Sequence, residues 1–318
     1  MQTIGSPLLW GMFAVLVIVA LKVDLVLMRH GGPHKVSVRE AAWWSMGWVV
    51  LALLFNAGLW AYLHATAGAE VAGRVGLEFL TGYLVEKSLA VDNIFVFLTL
   101  FTYFAVPEEQ RQRALVIGVL GAIVLRAIMI FIGAALLARF HWMLYVFGIF
   151  LLVTGIKMWI AAGQEPDLAR NPVLRWMRGH LPLIQRYQGN ALTVVRQGRR
   201  FYTPLFVVIV MIAITDVIFA VDSIPAIFAI TADPFIVLTS NVFAVLGLRA
   251  MFFLLAGMAD RFHLLPYGLA LVLAFIGTKM LIVDVFKIPV LVSLGVVAAI
   301  LAATMLLSLA LPPREDAD

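Results

Sequence analysis

The sequence contains no cysteine. That single absence excludes disulfides, thiolate metal sites, iron–sulfur clusters and thiol catalysis together. Charge is also scarce: Asp, Glu, Lys and Arg make up 13% of the 318 residues, about half the share of a soluble domain. Catalytic signatures are missing as well. No HExxH, GxSxG or P-loop pattern occurs, so no catalytic residue is assigned, no enzyme is expected, and no permanently bound cofactor is implied. The six histidines (His30, His34, His64, His141, His180 and His263) all fall in polar segments or near the ends of apolar runs. A haem or zinc centre deep in an apolar layer finds no support there.

What the chain has in excess is apolar surface. Hydrophobic residues are 63% of the total and the mean hydropathy is +1.02. Apolar runs of about 20 residues, enough to cross a hydrocarbon layer of roughly 30 Å, recur along nearly the whole length. They lie at about 8–28, 43–65, 78–104, 113–137, 142–162, 203–231, 235–257, 265–286 and 289–311. The expected fold is therefore all-α, a polytopic transmembrane helical bundle of about nine spans. The first run lacks a basic leader and a small-residue cleavage site, so it reads as a retained helix.

Lys and Arg in the loops set the orientation. Placing the Arg-rich 163–202 segment and the loop after the first span on the cytoplasmic side leaves 14 loop bases inside and three (Arg74, Arg139 and Lys287) outside. The N-terminus is then periplasmic and the C-terminus cytoplasmic. The net charge of +5 sits mainly in that central segment. We read it as a topology determinant facing anionic lipid, with 174–181 as a short interfacial helix, and not as a nucleic-acid-binding surface. Membrane lipid is thus the expected partner.

Two distant stretches carry nearly the same acidic signature. One is Glu86-Lys87-Ser88-Leu89-Ala90-Val91-Asp92-Asn93-Ile94, the other Asp216-Val217-Ile218-Phe219-Ala220-Val221-Asp222-Ser223-Ile224. The likeness continues in order: Leu125-Arg126-Ala127 with Leu248-Arg249-Ala250, Arg139-Phe140-His141 with Arg261-Phe262-His263, and Gly155-Ile156-Lys157-Met158 with Gly277-Thr278-Lys279-Met280. The chain divides accordingly into two N-terminal helices (1–77), a first three-helix repeat (78–162), a cytoplasmic basic loop (163–202), a second repeat (203–286) and a final helix with its tail (287–318). Three crossings per copy, joined by a loop that does not cross, invert one copy relative to the other. Inverted repeats are a mark of secondary transporters, whose sites lie near the midplane between the copies.

An acid at membrane depth costs about 2.5–3.5 kcal/mol on insertion scales, so each is a functional candidate by default. At 1.5 Å per residue, Asp92 and Asp216 both come to rest about 20 Å into their spans. Six residues separate the acids within each copy, which puts them about 120° apart on an unbroken helix; Pro225 suggests a local break in the second copy. Glu86, Asp92, Asp216 and Asp222, with Asn93 and Ser223, form an oxygen-rich set suited to a hard divalent cation such as Mn²⁺, Mg²⁺ or Ca²⁺. Thr215 and Asn241 add to that set. Arg126 and Arg249 are the candidate counter-ions. Lys157 and Lys279 lie near span ends, where snorkelling is the default. Six acids in or near the spans face six bases, so the same residues also fit a structural network of ion pairs.

Gly82-Tyr-Leu-Val-Glu-Lys-Ser-Leu-Ala-Val-Asp-Asn-Ile94, Asp216-Val-Ile-Phe-Ala-Val-Asp-Ser-Ile-Pro-Ala-Ile-Phe228, Asp233-Pro-Phe-Ile-Val-Leu-Thr-Ser-Asn241 and Leu246-Gly-Leu-Arg-Ala250 resemble the TerC family. With the opening Ser6-Pro-Leu-Leu-Trp10, the chain is similar to the Alx branch of that family. The resemblance implies a bacterial inner-membrane protein linked to tellurium resistance, alkaline response and manganese export, in a family grouped with LysE-type exporters. It places the family's acids at Glu86, Asp92, Asp216 and Asp222. Ala213 stands where the family usually has Glu, which leaves this chain one acid short of the pattern. Two expectations follow: a divalent-cation exporter, Mn²⁺ first, with protons as the candidate exchange ion, or a non-transporting scaffold or redox- and tellurite-stress factor.

Overall fold

The computed structural model describes residues 3–30, 37–140, 142–162, 171–256 and 263–311, with the side chains of 25–30 and of Asp92 left undescribed. The chain is helical almost throughout. In order the elements are α1 (Pro7–His30), α2 (Val38–Ala67), α3 (Ala69–Tyr103), α4 (Glu108–Arg139), α5 (Met143–Ala161), α6 (Pro172–His180), β1 (Thr193–Arg196), β2 (Arg199–Tyr202), α7 (Pro204–Phe228), α8 (Pro234–Leu246), α9 (Leu248–Ala256), α10 (Leu265–Leu281) and α11 (Val290–Ala310).

Local chemistry sets many of these ends. Ser37, Asn171, Thr203 and Asp233 cap α2, α6, α7 and α8 by accepting from backbone N–H groups of the first turn, and α6, α7 and α8 each begin on proline, whose missing N–H costs nothing there. Asp233 also accepts from Thr3 Oγ1 and from the Ile4 N–H, both at 2.7 Å. The N-terminal segment is therefore pinned to the α7–α8 turn.

Each apolar run read from the sequence falls on a helix, or for 235–257 on the α8–α9 pair. Six helices (α1, α2, α4, α5, α7 and α11) are long and apolar enough to cross a membrane alone, and α8 with α9 forms a seventh, bent by 41°. The charges of α3 and the 17-residue length of α10 keep those two outside this group. α3 is instead the hub of the bundle, packing against α2, α7, α8, α9, α10 and α11. Its charges are tolerable because protein surrounds them.

Two expectations change. The helix break lies at Gly247, between α8 and α9, whereas α7 runs through Pro225 to Phe228. Pro225 is only one turn from the end, so a single freed carbonyl suffices to accommodate it. The basic central segment contains α6 and an antiparallel β-hairpin, with Arg196 opposite Arg199. Its turn, Gln197-Gly198, has positive φ at both residues, as a tight two-residue hairpin requires.

The packing between α3–α4–α5 and α7–α8/α9–α10 is reciprocal. α3 packs on α8 as α7 packs on α4, and α3 on α10 as α7 on α5. At the α5–α10 crossing, a Cβ on Gly155 would lie 2.8 Å from the Ala270 carbonyl and 3.0 Å from the Ala274 nitrogen. A Cβ on Gly277 would lie 2.8 Å from both the Gly148 carbonyl and the Leu152 nitrogen. Each pair of neighbours is the image of the other at the 122-residue offset of the sequence match. The two backbones touch with no side chain between them.

That crossing yields a test. Gly155→Ala and Gly277→Ala should each destabilise the protein by about 1–3 kcal/mol, the usual cost of overpacking a tight contact, because backbone rather than a flexible side-chain tip must give way. Thermal unfolding of the detergent-solubilised protein measures this. Two variants as stable as the parent would contradict the close approach.

Candidate functional site

At the centre of the bundle, Arg126 of α4 is fully buried. Its Nη1 donates to Glu86 Oε1 of α3. Its Nη2 donates to Asp216 Oδ1 of α7 at 2.9 Å, and Nε is 3.3 Å from both Asp216 oxygens. Ser223 Oγ lies 3.4 Å from Nη1. One guanidinium thus bridges two carboxylates at matched positions of the two copies. Both are buried, Glu86 at 0% and Asp216 at 1% exposure. Guanidinium suits this place because it stays charged and offers a planar fork of donors.

Glu86 Oε2 forms no hydrogen bond. Beside it lies a cavity of about 260 Å³ lined by Glu86, Leu89 and Asn93 of α3, Phe219, Asp222 and Ser223 of α7, Thr154, Lys157, Met158 and Ala161 of α5, and Leu273 of α10. Thr154 Oγ1 donates to Asp222 Oδ1 at 3.1 Å. The floor obeys the repeat: Leu89 matches Phe219 and Asn93 matches Ser223 at the 130-residue offset. On the continuous α7, Asp216 and Asp222 face different neighbours, Arg126 on α4 and Thr154 on α5, as their 120° separation requires.

The six residues read as cation ligands are thus distributed as follows. Glu86, Asn93, Asp222 and Ser223 line one cavity, and Asp216 joins it through Arg126. The Asp92 side chain lies outside the described residues, so its distance from Asp222 does too. Among the described residues, no three His, Asp or Glu side chains converge as a metal cage. With all groups ionised, Glu86, Asp216 and Asp222 against Arg126 leave a formal excess of two negative charges. Lys157 at the cavity adds a positive group.

Three side chains stand elsewhere than the sequence suggested. Arg249 is no counter-ion of this centre: it pairs with Asp24 of α1 at 2.6 Å and donates to the Asp24 carbonyl at 2.9 Å. The α8–α9 bend lies two residues before it, so the second copy's arginine sits on a helix of its own direction. Thr215 turns its hydroxyl back to the Met211 carbonyl, and Asn241 is wholly buried in α8 with no hydrogen-bond partner for either amide atom. Thr154 and Lys157 were legible only as spacing: 154, 157, 158 and 161 recur on one face of α5.

A polytopic helical membrane protein with a buried guanidinium–dicarboxylate centre where α3, α4 and α7 meet is the class these features define. The profile of the family described as "Integral membrane protein TerC family" matches residues 71–316. The chain belongs to the TerC family. It is 57% identical over 308 residues (97% of this chain, 96% of the relative) to a protein of Salmonella typhi named Alx and described as a candidate membrane-bound redox modulator. The same name is carried by an Escherichia coli K12 protein, 55% identical over 316 residues (99% of this chain, 98% of the relative). An uncharacterised membrane protein of Myxococcus xanthus is 46% identical over 319 residues, covering 99% of this chain and 97% of that one. No solved structure matches.

The two arginines can be told apart by double-mutant cycles on unfolding. Arg126→Met should cost about 3–5 kcal/mol, because it strands buried carboxylates, and should couple to Asp216→Asn. Arg249→Met should couple to Asp24→Asn instead. Coupling of Arg249 to Asp216 above the roughly 0.5 kcal/mol expected of separate sites would contradict this pairing.

Proposed function

We propose that this protein is a membrane transporter that exports a hard divalent cation, Mn²⁺ before Mg²⁺ or Ca²⁺, through the carboxylate-lined site between the two repeats, in exchange for protons. The observation that carries the reading is the Arg126 bridge. A single tethered cation holds together two acids from opposite copies, beside a cavity that supplies a third carboxylate, an amide and two hydroxyls. An empty carboxylate site in an apolar layer needs a resident positive charge. A divalent ion entering the cavity competes with Arg126 for Glu86 and Asp216, with Asp222 as its first contact. Protons arriving at the same acids compete with the metal, which is the basis of exchange.

Oxygen donors without thiolates favour hard ions over soft ones. The reciprocal packing of the two copies supports an inverted repeat. The ties between the N-terminal segment and the α7–α8 turn, and between α11 and the start of α10, support a strict alternation of nine crossings. We place the protein in the bacterial inner membrane with the N-terminus periplasmic and the C-terminus cytoplasmic, from the arginine distribution.

The second reading is a non-transporting scaffold or redox-stress factor. It is favoured by one observation: Glu86 and Asp216 are already engaged by Arg126, and no metal cage is formed among the described residues. A redox role for this chain would have to proceed without thiol chemistry, because cysteine is absent.

Everted membrane vesicles loaded with a Mn²⁺-sensitive dye separate the two. Asp222→Asn should abolish Mn²⁺ uptake while Asp24→Asn, in the ion pair outside the cavity, retains it. Loss of charge with retention of shape removes most of the attraction for a cation at low dielectric. Parent-protein uptake no greater than in vesicles lacking the protein would favour the scaffold, and parental uptake undiminished in well-expressed Asp222→Asn protein would remove Asp222 from the route.

A further inference from the structure

The central cavity is two-fold related on its floor and one-sided at its wall. Its open wall is the face of α5 bearing Thr154, Lys157 and Met158. In the second copy the matched residues are Ile276, Lys279 and Met280 of α10. They differ sharply in exposure. Lys157 is exposed and Thr154 and Met158 are half-buried, whereas Lys279 is 9% exposed and Ile276 and Met280 are 2% exposed. Sequence does not explain the contrast, since lysine and methionine occupy the same places in both copies.

The closed wall has identifiable fastenings. Lys279 interacts electrostatically with Glu78 near the start of α3, and Glu78 is itself only 7% exposed. α11 packs along α10 and α3, with Ser293 and Val297 buried. Glu78 lines a second cavity, about 730 Å³, formed by the start of α3, the end of α4 and the α7–α8 turn. That cavity lies at the end of the bundle where the N-terminal segment is tied to Asp233. Of these two cavities, the first has Glu86 of the Arg126 bridge in its lining and the second does not.

We propose, building on the transporter reading, that Lys157 and Lys279 mark two alternative access routes to the same site, and that this structure is the state in which the α5 route is open and the α10 route is shut, with Lys279 and Glu78 both buried. In an inverted repeat, each copy can adopt the conformation of the other. The exchange opens the α10 wall, buries Lys157 and exposes Lys279. The Gly155–Gly277 crossing lies on the pseudo-two-fold and keeps its contacts in both states. α11 moves with α10 as the second wall opens.

The natural absence of cysteine makes the test direct. Met158→Cys and Met280→Cys are introduced singly, and the rate of reaction with a membrane-impermeant maleimide is measured in sealed vesicles of both orientations. Met158→Cys should react faster than Met280→Cys, and from the opposite side of the membrane. Adding Glu78→Gln should raise the Met280→Cys rate and lower the Met158→Cys rate together, by at least about twofold, because a population shift takes from one state what it gives to the other. Lys279→Gln should act in the same way from the other partner, which guards against a fault peculiar to one variant. A rise at Met280→Cys with Met158→Cys unchanged would mean local loosening and would overturn the proposal, as would no change at either position. Since labelling needs no transported ion, reciprocal labelling without Mn²⁺ flux would refute the exporter and leave the two routes standing.

Discussion

The fold depends on a charge imbalance placed at the buried centre of the bundle. Glu86 and Asp216 bring two negative charges into the middle of an apolar bundle, and only Arg126 stands between them. Neither acid could remain ionised there alone, and the guanidinium could not remain without them. The helices are therefore held by mutual need: α3, α4 and α7 must meet at one point, and everything packed around that point inherits its geometry. α3, too highly charged to be a simple span, becomes the axis of the molecule because its polar groups are consumed by neighbours instead of lipid.

Such a centre is rigid yet exchangeable. Arg126 satisfies the acids only as long as nothing else does, and the adjoining cavity offers a competing cation a carboxylate, an amide and hydroxyls within reach of the same oxygens. The contrast with Arg249 is informative. Its partner Asp24 comes from α1, outside the duplicated units, and the pair sits apart from the central cavity. Two arginines at matched positions of the sequence thus have different partners, one at the centre and one on α1.

Much of this was legible before any coordinates. Composition defines a polytopic helical protein, and the place of Arg126 inside an apolar run marks it as the partner of buried acids, here Glu86 and Asp216. The remainder was hidden for physical reasons. The bend at Gly247 is set by packing around a residue that also serves ordinary helices, so nothing in the local sequence separated Arg249 from its twin. Pro225 promised a break but stands too close to the end of α7 to make one. The β-hairpin at Gln197-Gly198 is masked in the sequence by the arginines that flank it. Lys157 looked like a terminal anchor, and only the convergence of α3, α5 and α7 turns its face of α5 into a cavity wall.

The glycine crossing of α5 and α10 has a different kind of consequence. Gly155 meets Ala270 and Ala274 while Gly277 meets Gly148 and Leu152, so residue i touches j′ and i′ touches j. That is the geometry of an isologous interface, the one two identical subunits form about a two-fold axis. Within a single chain it has the character of a fused homodimer. In a dimer of identical chains, one mutation would have altered both sides of such a contact at once. In the fused chain each side changes alone, so a substitution on α5 is met by an unaltered α10. This interface therefore tolerates less variation than its apolar surroundings, and divergence between the halves has room to accumulate at their outer faces instead.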